Sequence, residues 1–230
     1  MIKQSIFKQR AINFFSFPVS YLLFLVLALQ FACTQPPCTL TAEQAPELRG
    51  FRLLMSIEEI QAKHRGFPTP PADEFGLAKV VIVDNLNGKT KDDIKPYGAT
   101  VVNSADFPEI KGISRIYLEI IDNRLASIQV VYLNDVKWNS VDEFIKKTAQ
   151  TMKLNGSWEK VNGDYQSLRC GEVSVRAGIR RDGYQFGNYE KLPFVELVTY
   201  KQYKEYELRK LNNGEAANRK EQERRDVFKP

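Results

Sequence analysis

The first 33 residues limit what the rest of the chain can be. Lys3, Lys8 and Arg10 form a basic head, the run from Tyr21 to Leu29 is apolar on every side, and Phe31-Ala32-Cys33 closes the segment. A basic head, an apolar core of about a dozen residues and a small residue at the end make an export signal. A surface helix of the folded body would instead carry a single apolar stripe. The segment reads three ways at its end. Cleavage beside Cys33 releases a free chain. A lipoprotein signal makes Cys33 the lipidated first residue, with Ala32 before it. Retention leaves an anchor, because residues 11–33 are long enough to cross a hydrocarbon core of about 30 Å, although Pro18, Asn13, Ser16 and Ser20 oppose that reading. The expected location is therefore exported: periplasmic, membrane-anchored through residues 1–33, or extracellular.

Export decides how the cysteines are read. After Cys33 only Cys38 and Cys170 remain, and two thiols in an oxidising compartment usually pair. A Cys38–Cys170 bond would staple the mature N-terminus to the second half of the chain, and loop closure of that length is valued at up to roughly 5 kcal/mol. Cys33 with Cys38 is the alternative, and it excludes lipidation. A catalytic thiol would need a base, and the sole histidine, His64, sits between Lys63 and Arg65, where a solvated ring is expected.

Charge is unevenly spread. The formal balance of +5 includes three cations of the leader, and residues 201–230 hold nine Lys or Arg against six Asp or Glu, leaving residues 34–200 at −1. The body is not basic, so nucleic acid is not an expected partner.

Two segments echo each other, Ser56-Ile-Glu-Glu-Ile-Gln-Ala-Lys-His64 and Ser140-Val-Asp-Glu-Phe-Ile-Lys-Lys-Thr148. Both match a capping box, in which Ser accepts the backbone N–H three residues on and Glu59 or Glu143 reaches back. Val141, Phe144, Ile145, Thr148 and Met152 recur at helical spacing and predict one apolar face; Ile57 and Ile60 do so in the first helix. Strand patterns follow each helix: 79–83, 99–102, 114–121 and 125–133, then 158–161, 165–170, 172–179 and 194–200. Asp122-Asn-Arg124 is short enough to join the third and fourth as a hairpin. The expected fold is α+β, two similar helix-plus-antiparallel-sheet units packed as one body. A single α+β domain with coincident helix starts fits the same pattern. The chain then divides into a leader (1–33), a first unit (34–136), a second unit (137–200) and a charged helical tail (201–230), in which Asn212-Asn213-Gly214 should end one helix before a second.

The run Pro46-Glu-Leu-Arg-Gly-Phe-Arg-Leu-Leu-Met-Ser-Ile-Glu-Glu-Ile60 resembles the Arg-Gly-hydrophobic-x-hydrophobic-Gly-Met-Ser/Thr-x-x-Glu-Val pattern of small outer-membrane assembly lipoproteins of the BamE (SmpA/OmlA) type and of the architecturally similar β-lactamase-inhibitory proteins. It departs at Leu54, where the family has Gly, which bears on the tight turn before the helix. The resemblance implies an exported, non-catalytic α/β module that binds other proteins. It carries no functional residue over.

Chemistry is signalled mainly by what the chain lacks. It has no Gly-x-Ser-x-Gly elbow, no His-Glu-x-x-His, no phosphate loop and no paired-Cys metal spacing. The segment Asp84 to Asp93 looks like a calcium loop, but Gly88 as sixth residue puts Val83 and Ile94 where carboxylates are required. No catalytic, metal or cofactor-binding residue is assigned, and no cofactor is expected. The leading expectation is an envelope module with an envelope or extracellular protein partner. The competing one is an enzyme using a carboxylate pair, drawn from Glu109, Glu119, Asp122, Asp164 and Asp182, in a cleft between the halves.

Overall fold

The computed structural model describes residues 37–84, 98–107, 110, 112–133, 137–182 and 190–227. The leader with Cys33, most of the polar loop after Asp84, Glu109 and the Asp182 side chain lie outside the described residues. No helix among the described residues is long and apolar enough to cross a membrane.

The described chain is α+β. Helices α1 (Ile57–Lys63) and α2 (Val141–Thr151) each precede strands, and α3 (Tyr200–Val227) closes the chain. The strands are β1 (Leu77–Val83), β2 (Thr100–Asn103), β3 (Ile113–Ile121), β4 (Arg124–Tyr132), β5 (Glu159–Lys160), β6 (Tyr165–Cys170), β7 (Val173–Asp182) and β8 (Glu190–Thr199). They form a single sheet in the order β2-β1-β3-β4-β8-β7-β6-β5. The sheet is mixed rather than antiparallel throughout, because β2 pairs with β1 in parallel, Val81 against Val101. A parallel return needs a crossover of about a dozen residues or more, and the stretch between Val83 and Thr100 supplies it.

Alternation sorts the residues of each strand. Val80 and Ile82, Ile116 and Leu118, Ile128 and Val130, Val195 and Leu197, and Val175 and Ala177 occupy neighbouring register positions and share one buried cluster with Ile57, Ile60, Phe144 and Ile145 of α1 and α2. Both helices therefore cover the same face. Residues of the opposite parity, including Lys79, Tyr117, Glu119, Gln129, Glu196 and Arg176, lie on the other face.

Each helix starts where its cap predicts, with one difference. Ser56 and Glu59 make both halves of the capping box, Glu59 N–H to Ser56 Oγ at 3.1 Å and Ser56 N–H to Glu59 Oε2 at 2.7 Å. In α2, Ser140 Oγ accepts from Glu143 N–H at 3.1 Å, but the Glu143 carboxylate takes the Asn139 backbone and side-chain N–H groups instead of that of Ser140. The extra donor on Asn139 draws it one residue further back.

His64 is not solvated. It is 2% exposed, stacks on Phe51 with ring centroids 4.7 Å apart and lies 5.6 Å from the Phe107 ring. Its position relative to Ile57 and Ile60 continues the buried stripe of α1, which outweighs the charge of Lys63 and Arg65 beside it. Gly50 is tied to this packing, since its φ is +88° and a Cβ there would stand 3.0 Å from the imidazole.

The N-terminal stretch of the described chain is held by a Cys38–Cys170 disulfide, with a sequence separation of 132. Leu40 C=O accepts from Glu172 N–H at 3.0 Å beside the same β6–β7 turn. Gly171 leaves room for this crossing, because an added Cβ would meet Leu40 O at 2.7 Å.

At the other end, α3 does not break at Asn212-Asn213-Gly214 but runs through it. Gly within a helix costs about 1 kcal/mol against Ala, which weakens a helix without stopping it. Its first turns are docked: Tyr206 is buried with Ile121 and Ala126, its hydroxyl donates to Asp73 Oδ2 at 3.0 Å, and Arg209 pairs with Asp122 at 2.8 Å. Beyond Lys210 nearly every described side chain is exposed. The Arg225–Glu221 pair at 3.3 Å is the kind of i,i+4 contact that supports such a stretch.

Leu54 bears on the turn before α1. Its φ is +66°, a left-handed conformation that costs an L-residue roughly 1–2 kcal/mol. Two bonds hold it there, Leu54 N–H to Leu125 O at 2.8 Å and Arg124 Nη1 to Leu54 O at 3.1 Å. Leu54→Gly is expected to raise the free energy of chemical denaturation by up to about 1 kcal/mol, whereas Leu54→Val, β-branched at positive φ, should lower it. Equal losses from both substitutions would contradict strain at this position.

Candidate functional site

On the helix-covered face a groove of about 550 Å3 runs between the N-terminal turn, α2 and the centre of the sheet. Its floor includes Leu48, Phe144 and Val195, and Tyr132, Trp138 and Met152 stand along it. Tyr132 ends β4 and Val195 lies in β8, so the groove sits where the two halves of the sheet meet. Three aromatic rings are set edge to face: Tyr132 and Phe144 at 6.5 Å, Trp138 and Phe144 at 5.2 Å. Such pairs add about 0.5–1.5 kcal/mol beyond area burial, which fixes the rings in place while leaving Tyr132 and Trp138 partly accessible.

Arg49 is delivered to this wall by local geometry. Leu48 and Phe51 exchange backbone hydrogen bonds at 2.8 and 3.0 Å, and the two residues between them have φ of 51° and 88°. Positive φ at both central positions is the mark of a type I′ turn. The turn sets the Arg49 guanidinium 5.6 Å from the Tyr132 ring centroid. Burial raises the Tyr132 phenol above its ordinary pKa despite the opposing charge and hydrogen bond of Arg49, so at neutral pH it stays a protonated donor. Lys147, Thr148, Thr151 and Lys153 complete the rim on the α2 side. Glu47 is the one carboxylate lining the groove among the described residues, and Lys63 neutralises it at 3.1 Å.

Of the carboxylates singled out in the sequence, the described ones, Glu119, Asp122 and Asp164, do not converge on this groove. Glu119 pairs with Lys79 at 3.3 Å on the other face. Asp122 lies in the β3–β4 turn and holds Arg209. Asp164 sits in the β5–β6 turn, its carbonyl taking Ile179 N–H at 2.7 Å. Four strand steps separate β3 from β6, roughly 19 Å at the usual spacing. Among the described residues no group of His, Cys, Asp or Glu is arranged to hold a metal ion.

One ionisable group was not picked out in the sequence. Glu196, in the middle of β8 on the face opposite the groove, has Gln129 and Arg176 as its register neighbours. Its carboxylate meets Arg176 Nη1 at 3.2 Å. Arg180 bonds Gln129 and lies 4.9 Å over the Tyr117 ring, so the region is roofed by long side chains. Burial pushes the Glu196 carboxyl above its ordinary pKa, and Arg176 only partly offsets this. Strand alternation would have put Glu196 on this face. Its burial comes from strands far apart in sequence, which no local pattern reveals.

No family model, curated protein or solved structure matches the chain.

A carboxyl with a raised folded pKa favours the protonated form in the native state. The stability it contributes is full below the ordinary carboxylate range and is lost as pH rises through the raised value. Glu196→Gln cannot ionise and should match the native chain in acid, then become the more stable of the two as pH climbs from the ordinary carboxylate range through the raised value. Denaturation midpoints across that range test this; a difference independent of pH would contradict it.

Proposed function

We propose that this chain is an exported cell-envelope module that holds another protein in the helix-side groove and performs no chemistry there. The observation carrying this reading is the groove's lining: an aromatic wall of fixed rings, an apolar floor, and, among the described residues, a single carboxylate already paired with Lys63. Pockets of about 300–1,000 Å3 lined by aromatic and apolar groups are the usual form of a small-molecule site, and a buried aromatic or aliphatic anchor of a partner protein fills the same kind of pocket. An acid and base pair would need two carboxyl groups facing each other.

Export is supported by the leader and by the Cys38–Cys170 disulfide, a bond that persists in oxidising compartments. Membrane association would come through residues 1–33, by lipid on Cys33 or by retention. The resemblance to BamE-type lipoproteins and β-lactamase-inhibitory proteins gains support from Leu54, whose positive φ falls where those families have Gly. A duplicated unit is supported by layout. Each half runs from a Ser-capped helix into four strands, and the last strands, β4 and β8, pair with each other.

Photo-crosslinking tests the reading. With benzoylphenylalanine in place of Trp138 or Thr151 in cells of the native host, a discrete protein adduct should form, and none from the same group at Glu223 on the exposed part of α3. The proposal fails if the groove positions give no adduct, or if adducts of equal yield arise at all three.

A further inference from the structure

We infer that the groove takes a segment of partner protein in which an apolar side chain is flanked by carboxylates. The inference rests on the docking reading above and adds the chemistry of the occupant. Charge is its first ground. Arg49, Lys147 and Lys153 stand exposed on the rim, and among the described residues no carboxylate pairs with any of them. The lining carboxylate Glu47 is taken by Lys63, so the mouth presents three cations around an apolar, aromatic floor. An acidic segment would be steered to such a mouth and a basic one repelled.

Backbone strain is the second ground. Among the described residues five non-glycine positions have positive φ: Arg49, Leu54, Asp122, Asn123 and Lys153. Asp and Asn tolerate this conformation readily, which leaves three that do not. Two of those three are rim cations. Arg49 occupies a I′ turn position and Lys153, at 54°, the left-handed position just past the α2 C-cap Met152, where Gly is the usual residue. Strained residues persist where the surroundings hold them for a purpose, and here the strain aims two cations at one groove.

A peptide fits the remaining lining better than an acyl chain does. Thr148 and Thr151 make the α2 side of the lining partly polar, which suits peptide amides better than a hydrocarbon tail. The Tyr132 hydroxyl adds a further donor beside Arg49.

The test is selection from a displayed library of random dodecapeptides on the immobilised full chain, in parallel with Trp138→Ala and with Lys147→Glu/Lys153→Glu. Both lysines are exposed, so the double variant should keep the native far-ultraviolet circular dichroism. Expected are peptides with Leu, Phe or Trp between Asp or Glu residues. They should bind the native chain at least tenfold more tightly than either variant, with the advantage shrinking as salt rises. Trp138-dependent peptides that are neutral or basic would overturn the inference and leave the docking reading standing. No Trp138-dependent enrichment at all would end both. Binding of vesicles containing phosphatidylglycerol that is lost in Lys147→Glu/Lys153→Glu, with no acidic peptides selected, would assign the cations to a lipid surface and overturn the inference.

Discussion

Pairing of β4 with β8 is the contact on which the rest of the structure depends. These are the last strands of the two halves, and Ser127 to Val131 lie antiparallel to Phe194 to Val198. Without that pairing there would be two four-stranded sheets, β2-β1-β3-β4 and β8-β7-β6-β5, each with a long apolar edge. Ile128, Val130 and Leu197 are 0% exposed and Val195 is 2% exposed. Burying one such side chain contributes about 1.5–3 kcal/mol against leaving it in water, so the four at the seam are comparable with a whole domain's net stability of about 5–15 kcal/mol. A closed seam also removes two edges that would otherwise recruit other strands.

Other features follow from this seam. Because the two halves share one sheet, α1 and α2 lie on one face, and the space between α2 and the 46–49 turn becomes a groove over Tyr132 and Val195. The Cys38–Cys170 bond carries the N-terminal stretch across the second half, so that by residue 49 the chain has returned to the first half's side of the groove. Arg49 thus meets Tyr132 through a loop whose far end is fixed on β6. Binding geometry here depends on long-range chain closure more than on any motif.

Local features were legible in the sequence where one element decided them. The hairpin β3–β4 was visible in its alternation and both helices in their Ser caps, while the cysteine count narrowed the pairing to Cys38–Cys170 or Cys33–Cys38. Where a second element decided, the sequence misled. His64 was read from its charged neighbours, yet Phe51 and Phe107 bury it. Asn213 and Gly214 looked like a stop, yet nothing in the body asks α3 to turn there. Strand β2 was read as antiparallel because four-residue strands carry no signal of direction. The groove itself was not readable, since residues 46–49, 132, 138–153 and 195 come together only when the sheet closes. Leu54 is the intermediate case: the departure from a glycine pattern flagged the position, but only the backbone shows that leucine adopts the glycine-like conformation.

Native-state hydrogen exchange of the full chain tests the central role of the seam most directly. If β4–β8 pairing holds both halves together, the amides of residues 127–131 and 194–198 should be among the slowest to exchange. They should open only with global unfolding, at one common free energy for β3, β4, β7 and β8. Seam amides exchanging early, while β3 or β7 keeps separate protection, would show that the halves are stable units on their own and would contradict the account.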